Sequence, residues 1–436
     1  MYACPNCGGN LKFDIPSQQL GCAYCQTQVD VYSFEDQNPA TEKQNEFEAT
    51  IFSCPQCGGE ILSTDTSAAE FCTFCGASTI LHSRLTNEKR PSYIIPFQKT
   101  KEDCKKAYSD MMKKAIFAPD ALKNPKYIDG FRGIYMPYWA FHLTQEDSFT
   151  LKATRSKRRG DYIVTDHYAL KGEISAYYKG LSYDAASSFD DSISEKVAPY
   201  DVKGMKAFTP AYLSGFYADT ADVDASNYEE KAKQIARSHS QTAILQEFRG
   251  TSLHLQTPSP VDTQVKEIDS AMFPVWFMSY RNAGRVAYAT VNGQTGKVVT
   301  DLPVDTKKYG IGSLILALPI FLILNLLFTI TPFALLVITA FLAIISLLLY
   351  SYEVAEIKKK EEMQIKTSAF LGTLFAIITC VVVGILQPVN DLFYYGAAIL
   401  SLLAIFYSFK DIIGYYNILA TRRLPQFDKT GGDDRA

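Results

Sequence analysis

Eight cysteines carry the clearest chemistry in this chain. Cys4 and Cys7 form a C-x-x-C pair, and fourteen residues later Cys22 and Cys25 form another. The pattern returns fifty positions on, as Cys54 and Cys57 followed by Cys72 and Cys75. A C-x-x-C pair lets two thiolates converge on one ion from a tight turn, and two pairs supply the closed four-sulfur site of structural zinc. The spacing therefore predicts two structural Zn2+ sites. Disulfides, iron and redox-active pairs are the alternatives. So is pairing across the copies, such as Cys4 and Cys7 with Cys72 and Cys75. A redox pair usually opens a helix near a βαβ unit, and no such unit is readable here.

Short elements must position those sulfurs. Gly8-Gly9, Gly58-Gly59 and Gly76 follow cysteine pairs, where a left-handed backbone is needed to fold round the metal. Between the first two pairs, Leu11–Ile15 reads as a strand turned by Pro16-Ser17. We expect two small β zinc ribbons, over 1–35 and 51–83, joined by a solvated linker over 36–50. Neither can bury a core of its own. Metal binding, on the order of 10–16 kcal/mol per site, supplies the folding energy. Chelation is expected to unfold the first eighty residues and leave the rest standing.

The 436 residues have a formal net charge of −3, but the charge is segregated. Residues 1–83 carry 2 basic and 10 acidic side chains, and residues 84–160 carry 17 and 8. From Tyr309 to Tyr352 no charged residue occurs in 44 positions, with Thr331-Pro332 near the middle. A second apolar block runs over 367–409, broken by Gln387–Asp391. A bilayer needs roughly twenty apolar residues per helix. We expect an all-α membrane region over 309–410 with four helices, about 311–330, 333–351, 367–386 and 392–409. Lys307, Lys308, Lys358, Lys359, Lys360, Lys366, Lys410, Arg422 and Arg423 all flank these spans on one side. The excess of Lys and Arg on cytoplasmic loops then places both termini, and a tail over 411–436, in the cytoplasm of a multi-pass cell-membrane protein. No signal-peptide pattern precedes the first cysteines. Reduced thiols, and hence metal, suit that compartment. The spans hold no ionisable residue to mark a transport path. Asn325 reads as a helix-packing residue.

The middle of the chain reads as an α+β domain over 90–305. An amphipathic helix over 101–117 places Cys104, Ala107, Tyr108, Met111, Ala115 and Ile116 on one face. Tyr135–Phe141 and Phe273–Met278 are proline-aromatic runs suited to buried strands, each followed by a hairpin. A third such run spans Phe208–Leu213, and a second helix spans 228–248. His239 lies near that helix's apolar side and receives no role. The first hairpin turns at Arg155–Gly160. Its cluster of Arg155, Lys157, Arg158 and Arg159 suits anionic lipid headgroups or nucleic acid, the acidic ribbons, or simple solvation.

No Walker loop, H-E-x-x-H, nucleophile elbow or paired-carboxylate pattern occurs, and the five histidines lie in unrelated contexts. An enzyme is therefore not expected. Gly293–Lys297 is glycine-rich but has the wrong spacing for a phosphate loop and closes a hairpin.

The arrangement resembles a family of bacterial membrane-anchored proteins with N-terminal TFIIB-type zinc ribbons, often labelled PriA-like or replication-restart helicase proteins. The resemblance rests on Cys-Pro-x-Cys-Gly-Gly at 4–9 and 54–59, Ile95-Pro96-Phe97, Gly133–Trp139 and Val291–Lys297. The helicase label rests on the cysteines alone. This chain lacks a nucleotide-binding loop, and its ribbons are acidic where a DNA-binding module is usually basic. Some relatives accompany SPFH (flotillin-like) and phage-shock-type membrane-stress proteins, which implies a bilayer-embedded tether for a cytosolic or membrane protein partner. The expectation is a zinc-binding membrane scaffold. The rival is a membrane-tethered nucleic-acid binder, which the acidic ribbons disfavour.

Overall fold

The computed structural model describes residues 2–32, 46–63, 72–76, 82–247, 254–255, 261–282, 284–327, 330–360, 365 and 367–425. It contains an α+β domain, two four-cysteine clusters, and three helices long and apolar enough to cross a membrane among the described residues.

A small sheet opens the chain. β1 (Leu11–Asp14) pairs with β2 (Gln19–Cys22), and β2 with β3 (Gln28–Val29). Leu11, Phe13 and Leu20 alternate inward, so one face of this ribbon is buried. The second cysteine unit does not stand apart in this way. β4 (Glu46–Ser53), β5 (Glu60–Ser63) and β6 (His82–Lys89) belong to a 13-stranded sheet that also contains the central strands. β4 begins inside the expected linker, because Phe47, Ala49 and Ile51 alternate into the core. Residues 36–45 of that linker lie outside the described residues.

The sheet continues through β7 (Tyr93–Ile94). Helix α1 (Lys101–Lys114) follows, started by a Thr100/Asp103 capping box that satisfies its first amides. Cys104, Tyr108 and Met112 are buried on it. The helix ends at Lys114, so Ile116 falls outside its phase and is exposed. β8 (Arg132–Arg159) and β9 (Tyr162–Asp184) form a long hairpin. Its turn is Gly160-Asp161, with Gly160 at φ +62. Arg155–Arg159 are therefore strand residues and not, as expected, the turn. Helix α2 (Asp191–Val197), β10 (Lys206–Ala207), β11 (Tyr217–Ala218), helix α3 (Ser226–Glu247) and β12 (His254–Leu255) come next. Phe248 of the expected helix lies outside the described residues.

β13 (Gln264–Asn282) pairs antiparallel with β8 and β14 (Arg285–Asn292), and β14 with β15 (Val298–Thr300). The two proline-aromatic runs thus meet at their starts, Tyr135 opposite Pro274 and Met136 opposite Phe273. Phe97 sits at the hub. It stacks on Phe216 at 4.5 Å between centroids and meets Tyr135 at 4.9 Å and Trp276 at 5.0 Å. Gly133 and Gly293 let the backbone this close, since a Cβ would lie 2.5 Å from Phe216 or 2.6 Å from Phe97. Asn292 and Gln294 tie the same hairpin to Val197, Pro199 and Asp201. Three of the motifs behind the resemblance, Ile95-Pro96-Phe97, Gly133–Trp139 and Val291–Lys297, meet at this aromatic hub.

Helix α4 (Thr306–Leu327) leads into the apolar region. The side chain of Asn325 lies outside the described residues. α5 (Pro332–Lys360), α6 (Ser368–Leu386) and α7 (Leu392–Leu419) are the three membrane-length helices. Buried small and hydroxylic groups join them, as Thr373 with Ser408 at 2.6 Å and Cys380 with Ser401 at 3.0 Å. Hydrogen bonds of this kind commonly hold helices together in lipid. α5 and α7 run about two and a half to three turns past the expected spans. Residues 411–419 continue α7, and β16 (Arg422–Arg423) then pairs with β14. The first part of the expected tail over 411–436 is therefore helix and paired strand. Residues 426–436 lie outside the described residues.

Candidate metal centres

Each cysteine pair sits on a backbone knuckle. Gly8 donates its N–H to Cys4 O (2.8 Å), Gly58 to Cys54 O (2.9 Å), and Gly76 to Cys72 O (3.0 Å). All three glycines have φ between +71 and +75, as the sequence led us to expect. The fourth knuckle differs. Gln26 donates to Cys22 O at 2.9 Å and itself takes the left-handed conformation, at φ +61.

The sulfurs converge within each copy and not across copies. Cys4 lies 3.5 Å from Cys25 and Cys7 3.5 Å from Cys22. Cys54 lies 3.8 Å from Cys75 and Cys57 3.7 Å from Cys72. Within each group all four sulfurs lie within 4.8 Å of one another. A tetrahedron with metal–sulfur bonds of about 2.3 Å has edges of about 3.8 Å, so both groups fit a metal ion such as zinc. All eight thiols are free. Electrostatics point the same way. Contacts with Cys57 and Cys75, together with burial, push the Cys72 thiol far above the ordinary thiol range. Four converging thiolates need a cation among them. Cys25 is already poised, because the Thr27 hydroxyl and backbone N–H hold its thiol down at about 6.

The two centres differ in surroundings. In the first, Cys4 and Cys22 are buried while Cys7 and Cys25 are exposed. Beside them the Tyr24 ring is 81 % exposed. The ribbon's inner face docks on the third proline-aromatic run. Phe13 meets Tyr212 edge-on at 5.1 Å and donates its N–H to Ser214 O at 3.0 Å. In the second centre all four cysteines are buried. Phe74 accepts a 2.9 Å hydrogen bond from the Tyr288 hydroxyl, and Gln56 accepts one of 2.9 Å from Arg281.

The basic cluster lies elsewhere. β8 meets β11 at Ile134 and Tyr135, beside the strands of the second centre. Arg155–Arg159 lie more than twenty residues further along, on the order of 70 Å of strand. Lys157, Arg158 and Arg159 are exposed, and Arg155 is half-buried opposite Asp166. Next to them Tyr162 and Ile163 are 79 % and 74 % exposed. The cluster is a distal patch, separate from both metal centres.

Several groups escaped sequence reasoning. A cleft of about 680 Å³ lies beside the strands of the second centre, lined in part by Glu88, Arg90, Trp139, Asp219 and Asp222. Burial raises the Asp219 carboxyl to about 7. His142 is buried between Asp269 (3.0 Å) and Tyr177 (3.3 Å). Arg422 binds Asp190 and Asp301 across the sheet. These partners are far apart in sequence, and no local pattern announces them.

No family profile matches the chain, and no solved structure matches it. It is 30% identical over 314 residues, which is 70% of this chain, to the uncharacterized protein YdjG of Bacillus subtilis (strain 168). The match covers 91% of that protein.

Proposed function

We propose that this chain, which belongs to the family of the Bacillus subtilis protein YdjG, is a zinc-binding membrane scaffold that presents a cytosolic docking surface to a protein partner. The observation that supports this reading is continuity. The strands of the second cysteine centre, the central sheet and the end of the last apolar helix form one hydrogen-bonded body. Such a body holds a surface rigidly at a membrane.

In this reading Zn2+ fills both cysteine centres as a structural ion. It adds folding energy at two places where the local core is small. α4 joins the three longer helices as a fourth span, and the flanking lysines and arginines hold both termini in the cytoplasm. The exposed first centre and the distal Arg155–Arg159 patch are the two contact surfaces, and no catalytic step is assigned. Cross-linking in cells, mild solubilisation and mass spectrometry test the proposal. Recovery of a defined cytosolic or membrane protein is the expected result. Recovery of lipid and this chain alone contradicts it.

A membrane-tethered nucleic-acid binder is the second reading, favoured only by the exposed cations and Tyr162 at the hairpin tip. It requires binding that weakens steeply with salt. Titration of labelled DNA and RNA against the full chain in nanodiscs, with and without Lys157, Arg158 and Arg159, separates the two.

A further inference from the structure

The last membrane-length helix does not end in a free tail. Arg285 donates to Ile418 O in the last turn at 2.7 Å and to Thr421 O just beyond the helix at 2.8 Å. The Asn417 side chain accepts from the Val304 N–H at 2.6 Å and donates to the Val304 carbonyl at 2.9 Å. The helix end thus grips both β14 and the segment that enters α4.

From there the contacts lead to the second cysteine centre. Arg422 pairs with Asp190 at 3.1 Å and with Asp301, and lies 5.5 Å over the Tyr288 ring. The Tyr288 hydroxyl donates to the carbonyl of Phe74, which lies between Cys72 and Cys75. Leu424 packs against the cluster of Phe52, Ile61, Phe74 and the four cysteines. Together with Pro425 it closes one side of a 230 Å³ cavity whose other walls include Cys57, Cys75 and Arg281. Arg281 in turn holds Gln56, between Cys54 and Cys57. Both knuckles of the second centre are therefore one or two contacts from the end of the membrane helix. The first centre rests instead on the Tyr212–Phe216 segment.

We propose that the second centre is a metal-dependent latch between the soluble sheet and the last membrane helix. This rests on the metal reading given above. A cation held by Cys54, Cys57, Cys72 and Cys75 fixes both knuckles. The fixed knuckles seat Tyr288 and Leu424, and these hold β16 and the helix end in place. Loss of the metal loosens the knuckles and frees residues 417–425. Coupling is reciprocal, so detaching Arg422 must also loosen the metal. Docking of the soluble sheet on the end of the last membrane helix thereby depends on metal supply.

The test uses the full chain in nanodiscs with Cys25→Ser, which leaves only the second centre. Zinc content is measured first, and absence of bound zinc overturns the metal reading itself. Zinc release to a chromophoric chelator is then timed. Arg422→Ala is expected to speed release by about tenfold, which at an unchanged association rate is a tenfold loss of affinity, within the roughly 5- to 150-fold range usual for coupled sites. Arg422→Lys falls between, and Lys157→Ala at the distal tip leaves the rate unchanged. A second arm needs no change at the latch. Hydrogen exchange over 417–425 is compared with zinc bound and stripped, and faster exchange without zinc is expected. Bound zinc with a release rate within twofold of the parent in Arg422→Ala, or exchange over 417–425 that ignores zinc removal, overturns the latch. If Arg422→Ala does not fold, the exchange arm decides alone.

Discussion

The same 22-residue framework of two C-x-x-C pairs occurs twice, over 4–25 and 54–75, and the two copies meet opposite surroundings. The first leaves Cys7 and Cys25 exposed and belongs to a separate three-stranded ribbon. The second buries all four cysteines, and its strands join the central 13-stranded sheet. Identical ligand spacing fixes the geometry around a metal. The surfaces that flank the knuckles decide what depends on that metal. In the first copy it is a ribbon docked through Phe13. In the second it is the sheet edge and the return of the chain from the membrane.

This difference revises the expectation that chelation would unfold the first eighty residues and spare the rest. The largest effect should come from the second centre. Cys54→Ser or Cys72→Ser is expected to forfeit most of a site's binding energy, on the order of 10 kcal/mol, and to unfold the sheet along with it. Cys25→Ser should cost one metal and leave the central hairpin protease-resistant. Zinc counting and limited proteolysis of the two variants check this. Equal proteolytic sensitivity would erase the distinction between the centres.

Phe13→Ala comes next. It removes a buried ring that contacts Tyr212 and Phe216, at a cost of about 3–5 kcal/mol. The first ribbon should undock, seen as new cleavage near residue 32, while the second centre keeps its zinc. Loss of both metals would show that the ribbons are not separable.

Asp219 sharpens the comparison by pH, since it lies in the cleft beside the strands of the second centre. Burial raises its folded pKa to about 7, above the ordinary 3.8, against the hydrogen bonds that it accepts from Ser188 and Thr220. The folded state therefore holds its proton more tightly than the unfolded state does. The stabilisation is full below about pH 4 and is lost as pH rises through about 7, by about 4 kcal/mol. With zinc in excess, the melting temperature should fall less between pH 6 and 8 in Asp219→Asn than in the parent. Parallel pH profiles would contradict this assignment.

The smallest effect belongs to the distal tip. Replacing Lys157, Arg158 and Arg159 with Ser should change stability by less than about 0.5 kcal/mol per site, since these side chains are exposed. Recovery of a partner should nevertheless change if the tip is a contact surface. A large fall in melting temperature would make the tip part of the fold.

What the sequence revealed follows the range of the interactions. The grouping of the cysteines is local to each copy, and three of the four left-handed knuckle residues, Gly8, Gly58 and Gly76, could be placed in advance. Gln26 could not, because its left-handed conformation carries no mark in the residue type. The long apolar runs predicted membrane-length helices, but α7 continues to Leu419 because Arg285 and Asn417 hold its end. β4 read as linker because acidic residues alternate with Phe47, Ala49 and Ile51, and only pairing with β5 and β6 gives those apolar residues a core. Arg422 read as one more cytoplasmic charge. Its partners Asp190 and Asp301 lie 232 and 121 positions away. Contacts at that separation leave no periodicity or motif to detect.

The most direct test of the inequality between the centres is the time course of zinc release from the full chain in nanodiscs to an excess of chelator. The structure predicts two phases of one zinc each, with the fast phase abolished by Cys25→Ser and the slow phase retained. Release of both metals in a single phase, or loss of the slow phase in Cys25→Ser, would contradict it.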